Sequence, residues 1–80
     1  MSVTVLLFAS YADALGTASL SLDVPQNATV AGVLAELRAR PGAGALPPKP
    51  LIAVNQRYAT QTSAIRAGDE IAIIPPVAGG

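Results

Sequence analysis

An α+β fold, with one main helix packed across a mixed β-sheet, is predicted by three features of the sequence. Val3 to Phe8 and Glu70 to Ile74 are apolar runs of strand length near opposite ends of the chain. Leu20, Leu22 and Val24 alternate with Ser19, Ser21 and Asp23, the period of two expected of a half-buried strand. Val30, Val33, Leu34 and Leu37 stand at i, i+3, i+4 and i+7, which gathers them on one face of a helix. The chain has 80 residues, 51% of them hydrophobic and 12% charged, so it should fold as one small core rather than remain disordered. The expected division is a domain over residues 1–74 and a flexible C-terminal tail over residues 75–80.

Taken in order, Val3 to Phe8 forms the first strand, and a turn-like stretch from Ala9 to Gly16 follows it. Gly16-Thr17 then lies in the hairpin that leads to the second strand. Pro25 to Ala28 breaks that strand, and Thr29 is placed to cap a helix running to Ala39 or Arg40. Arg38 and Arg40 suit the negative end of the helix dipole, and Pro41 stops the helix. From Pro41 to Pro50, four prolines and two glycines predict an irregular surface loop. Leu51 to Val54 is a short buried strand, Asn55-Gln56 a turn, and Arg57 to Ala59 its return. Ala67-Gly68-Asp69 turns the chain into the last strand, Glu70 to Ile74. A hairpin, a crossing helix and later strands joining the same sheet give a two-layer β-grasp, or ubiquitin-like, arrangement. The first and last strands should lie inside the sheet, because an apolar edge invites aggregation.

Composition removes whole classes of function. There is no cysteine and no histidine, which excludes disulfides, thiolate catalysis and the commonest transition-metal ligands; no metal site is expected. Five Lys/Arg balance five Asp/Glu without a basic stripe, so nucleic acid is not an expected partner. The early apolar run from Val5 to Ala9 is too short for a membrane span or signal segment, and the expected location is cytoplasmic.

The chain closes on Pro75-Pro76-Val77-Ala78-Gly79-Gly80. Gly79 and Gly80 lack a Cβ and can thread a narrow channel, while Pro75 and Pro76 stiffen the approach. Six extended residues reach about 20 Å. Such a tail presents the Gly80 carboxylate to another protein's active site; an ordinary frayed terminus is the alternative that the tail alone leaves open.

Strand alternation adds a second candidate surface. Thr4, Leu6 and Phe8 share one face of the first strand, and Glu70, Ala72 and Ile74 one face of the last; Thr4 and Glu70 mark these faces as outward. Leu6, Phe8 and Ile74 are therefore expected to be exposed, and with Tyr58 to form an apolar patch for a partner near the tail. Burial of the patch beneath a loop is the alternative, though little chain remains to supply one.

Val5-Leu6-Leu7-Phe8-Ala9, Ala53-Val54-Asn55-Gln56, Gly68-Asp69-Glu70-Ile71-Ala72 and the closing Pro75 to Gly80 segment resemble the motifs of the sulfur-carrier (small) subunit of molybdopterin synthase. The resemblance runs the full length. It departs at Ala12-Asp13, where the family often has Arg-Glu, and at Ala78, where Ser or Thr is common. What it implies is a non-catalytic subunit of a heterotetrameric synthase, with no bound cofactor. An adenylating enzyme uses ATP to activate the Gly80 carboxylate, a sulfurtransferase supplies sulfur to give a thiocarboxylate, and the tail delivers it to cyclic pyranopterin monophosphate inside the large subunit. Gly79 and Gly80 become the donor end by position, and Phe8, Tyr58 and Ile74 the apolar contacts with the large subunit. A carrier for thiazole synthesis, a ubiquitin-like modifier that acylates lysines, and a plain interaction domain are the alternatives.

Other motifs have structural readings. Asp69 and Glu70 are strand neighbours that point to opposite faces and cannot share a proton. Gly42-Ala43-Gly44 lacks the lysine of a phosphate loop, and Pro47 to Pro50 is a connector. Arg57 and Arg66 read as solvated charges.

Overall fold

The computed structural model describes residues 1–75. The sheet consists of β1 (Ser2–Leu7), β2 (Ser19–Asp23), β3 (Leu51–Val54), β4 (Arg57–Ala59) and β5 (Glu70–Ile74), in the order β2-β1-β5-β3-β4. Two helices, α1 (Ala9–Leu15) and α2 (Val30–Arg38), interrupt the strands. β1 and β5 run parallel, whereas the β1–β2, β3–β5 and β3–β4 pairs are antiparallel. The sheet is therefore mixed, and neither apolar strand is an edge. The expectations for Pro76, Val77, Ala78, Gly79 and Gly80 concern residues outside those described.

Alternation decides which side of the sheet is filled. Val3, Val5 and Leu7 of β1 and Ile71 and Ile73 of β5 are buried and meet Val30, Val33, Leu34 and Leu37 of α2. Leu22 and Ile52 extend this core across the sheet, and Val24, Leu46 and Ile65 close it from the connections. Each fully buried aliphatic side chain contributes about 1.5–3 kcal/mol relative to exposure, so this single layer dominates the stability of so short a chain.

The segment from Ala9 to Gly16, expected as a turn, is instead mostly the helix α1. Ala9, Ala12, Ala14 and Leu15 are good helix formers, Tyr11 is buried, and Leu15 packs on the same core one turn later. Two signals of a helix start are missing: Phe8 occupies the cap position without a side-chain cap bond, and the first turn carries no acidic residue. Gly16, at a φ of 77°, ends the helix, and its N–H and that of Thr17 both donate to the Ala12 carbonyl. Thr29 does precede α2 but its hydroxyl does not cap it. The first amides of α2 find backbone partners instead: Val30 N–H donates to Ser63 O at 3.0 Å and Ala31 N–H to Gln61 O at 2.9 Å.

The proline-rich loop also holds more structure than expected. Ala43–Ala45 makes one 3₁₀ turn that buries Ala43 and sets Leu46 into the core. The Arg38 guanidinium donates to the carbonyls of Leu46, Pro47 and Pro48, tying the loop back to the end of α2. Three peptide carbonyls in a fan match the fork of N–H donors on arginine.

Gly42 joins this loop to α1. It has a φ of 88°, and a Cβ there would overlap the backbone carbonyl of Ala14. Gly42→Ala should therefore destabilise the fold by about 2 kcal/mol or more. Gly44→Ala, where a Cβ meets nothing within 4 Å, should stay within about 0.5 kcal/mol of the parent. Urea denaturation of the two variants checks the contrast; equal midpoints would show that the loop does not lean on α1.

An apolar groove as the candidate functional site

The outward face of the sheet is shaped by its register. Leu6 stands beside Ala72, Ala72 beside Ala53, and Ala53 beside Tyr58, so one row crosses four strands. The two central positions carry only methyl groups. In the next row Ile74 pairs with Leu51, and Phe8 stands at the end of β1 one residue past the Leu7–Ile73 pair. Large side chains around two alanines make a trough, an open concavity of about 620 Å³ lined by Leu6, Phe8, Ala53, Tyr58, Ala72 and Ile74, with Pro75 at its rim and Gln56 and Glu70 as its polar members.

Tyr58 is 76% exposed and Phe8 46%, as the alternation predicts. Leu6 and Ile74 are a correction: both are half-buried, because the larger side chains around the trough shelter them. Ala53 is buried although it points away from the core cluster, for the same reason. No loop among the described residues lies over Phe8, Leu51 or Tyr58; α1 turns inward with Tyr11 and leaves this face open. Leu51, 48% exposed, extends the apolar surface.

Alternation placed Glu70 and Ala72 on the outward face, but Ala53 and Gln56 went unrecognised as surface-forming residues, and Leu51, expected within a buried strand, is a correction because it stands on the open face. Their positions on the outward face follow from alternation once the strands are known. That Ala53 and Ala72 adjoin each other depends on the register between β3 and β5, which no hairpin turn joins and no single segment displays.

The polar end of the trough is held by side-chain hydrogen bonds. Asn55 Nδ2 donates to Asp69 Oδ1 at 2.9 Å, and the Glu70 N–H donates to Asn55 Oδ1 at 3.0 Å. The Arg66 N–H donates to Asp69 Oδ2 at 2.8 Å. Asn55 thus fastens the β3–β4 turn to the start of β5. Both turn residues adopt the left-handed region, Asn55 at a φ of 49° and Gln56 at 71°, as a two-residue hairpin requires. The amide of Arg66, then the side chain of Asn55, hold the Asp69 carboxyl below its ordinary value, since both favour the charged form. Asp69 serves its turn, and Glu70 faces the trough.

The sequence model of the ThiS family matches residues 5–80. The chain belongs to the ThiS family. A human relative named molybdopterin synthase sulfur carrier subunit is 37% identical over 82 residues, spanning 98% of this chain and 93% of the relative. A relative of the same name from Arabidopsis thaliana is 33% identical, over the whole of this chain and 84% of its own length. Among solved structures, the small archaeal modifier protein SAMP1 of Haloferax volcanii superimposes with a TM-score of 0.86 at 32% identity over all of both chains. The β-grasp fold expected from the element order is thus the fold of this ThiS-family chain. Among the described residues, no helix is long and apolar enough to cross a membrane.

The depressed Asp69 carboxyl sets a pH dependence. Its folded pKa lies below its unfolded one, so the stability it adds is complete above the unfolded value and is lost as pH falls through the folded value. Asp69→Asn should unfold at lower urea than the parent at pH 7, and the gap should close on acidification below pH ~4. Parallel urea titrations across that range check this; a gap independent of pH would remove the charge from the account.

Proposed function

We propose that this chain is the sulfur-carrier subunit of a molybdopterin synthase. The observation that carries the proposal is the apolar trough whose rim is Pro75, the residue where the final strand hands over to Pro76-Val77-Ala78-Gly79-Gly80. A docking face beside the root of a Gly-Gly segment suits a protein that must be gripped while its end reaches into a neighbour. The curated relatives named as sulfur-carrier subunits support the same reading.

In this proposal the Gly80 carboxylate attacks the α-phosphate of ATP on an adenylating enzyme and expels pyrophosphate. A bare carboxylate is a poor electrophile, and the acyl-adenylate has AMP as a good leaving group. Sulfide-level sulfur supplied by a sulfurtransferase attacks the acyl carbonyl, expels AMP and leaves a thiocarboxylate. The large subunit then binds the trough through Phe8, Leu6, Tyr58 and Ile74 and receives Gly79 and Gly80 in its active site, where sulfur passes to cyclic pyranopterin monophosphate. The carrier itself binds no cofactor.

A second reading is favoured by one finding: SAMP1 is named a modifier protein. In that reading activated Gly80 acylates lysine amines. Lys49 is the one lysine in the sequence, so self-linkage through a side chain would have a single acceptor.

Intact mass after incubation with the adenylating enzyme, ATP and a sulfur donor separates the two. Exchange of one oxygen for sulfur, mapped by fragmentation to Gly80, is expected; a Gly80 without sulfur and found in amide linkage to lysine would select the modifier. Fragment mapping matters because oxidation of Met1 adds nearly the same mass. For the docking face, Phe8→Glu should weaken binding to the large subunit at least about tenfold while circular dichroism stays unchanged. Calorimetry checks this, and parental affinity would remove Phe8 from the interface.

A further inference from the structure

An apolar docking face has no need of a carboxylate, yet Glu70 lines the trough. It is half-buried, and among the described residues its carboxylate takes part in no ion pair and no side-chain hydrogen bond; only its backbone is engaged, the N–H donating to Asn55 Oδ1 and the carbonyl accepting from the Asn55 N–H. Its neighbour on β1 is Thr4, which is uncharged. None of the outward strand positions carries a cation. Arg57 alternates with Tyr58 and so points to the other side of β4. Arg66 lies beside Asp69, and Arg38 is committed to the proline-rich loop. Glu70 is thus a negative charge on an apolar face with no countercharge among its strand neighbours.

Gln56 adds an independent observation at the same end. It is the second residue of the two-residue turn, at a φ of 71°, where glycine is strongly favoured. Its side chain lines the trough beside Glu70. A glutamine held in a backbone conformation that glycine would occupy more easily is explained by a task for its amide.

We propose that Glu70 and Gln56 form the polar end of the docking trough and select a partner segment that lays an apolar side chain on Ala72 and Ala53 and presents an arginine or lysine to the Glu70 carboxylate. The Gln56 amide oxygen is a second acceptor for the same cation. Charge complementarity chooses this occupant over a wholly apolar one, because burying Glu70 without a countercharge would oppose docking. The proposal rests on the trough being the interface with the large subunit and adds the chemistry by which that subunit is recognised.

The test is calorimetric titration of the full chain with the large subunit of molybdopterin synthase from the same organism, at low and at high sodium chloride. The parent should bind more weakly at high salt. Glu70→Gln should bind roughly 5- to 10-fold more weakly at low salt and lose most of the salt response. Phe8→Ala should weaken binding and keep that response, which separates loss of the charge pair from general damage to the face. Gln56→Gly should unfold at higher urea than the parent and yet bind less tightly, a combination that a purely structural turn residue does not produce. Parental affinity and salt response in Glu70→Gln overturn the proposal and leave the interface standing. Failure of the parent itself to bind overturns the interface and the proposal with it.

Discussion

The parallel pairing of β1 with β5 is the contact on which the rest of the molecule depends. It brings the two most apolar segments, from opposite ends of the sequence, side by side in the interior of the sheet. Their register puts Val5 next to Ile71 and Leu7 next to Ile73, which makes the inner surface one aliphatic layer for α2 to cover. The same register necessarily places Leu6 next to Ala72 on the other side. Core and trough are two faces of one pairing, and a slip by one residue would exchange them.

Around that sheet, a small number of polar contacts hold the connections that lend the core only single residues such as Leu46 and Ile65. Arg38 gathers three carbonyls of the proline-rich loop, the carbonyls of Gln61 and Ser63 receive the first amides of α2, and Asn55 joins two turns across β5. Each replaces a local capping device with one that reaches across the fold. The arrangement suits a chain too short to bury its loops.

Elements with a strong period were legible before the structure. The helix face of Val30, Val33, Leu34 and Leu37 is buried throughout, and both apolar strands point their odd-numbered residues inward. Legibility failed where the deciding force was tertiary. α1 is seven residues long, lacks a capping side chain and owes its place to Tyr11 and Leu15 meeting the core. The 3₁₀ turn at Ala43–Ala45 forms in a segment whose prolines and glycines argue for irregularity, because Ala43 and Leu46 find apolar cover there. At the candidate site the outward set was readable from alternation. The trough itself was not, since its depth arises between strands and no single segment contains it.

Ala53 and Ala72 make that depth by what they lack. Neither belongs to the core cluster, and each lines the trough on the outward side of the sheet. The trough lies above them, so a larger side chain at either position would fill it and pack against its walls rather than enter the core. The core therefore does not require these two residues to be small; the open trough does. Under the docking proposed above, enlarging two methyl groups abolishes recognition in a protein that still expresses and melts like its parent. In this chain, the residues on which that recognition turns are then among its least conspicuous ones.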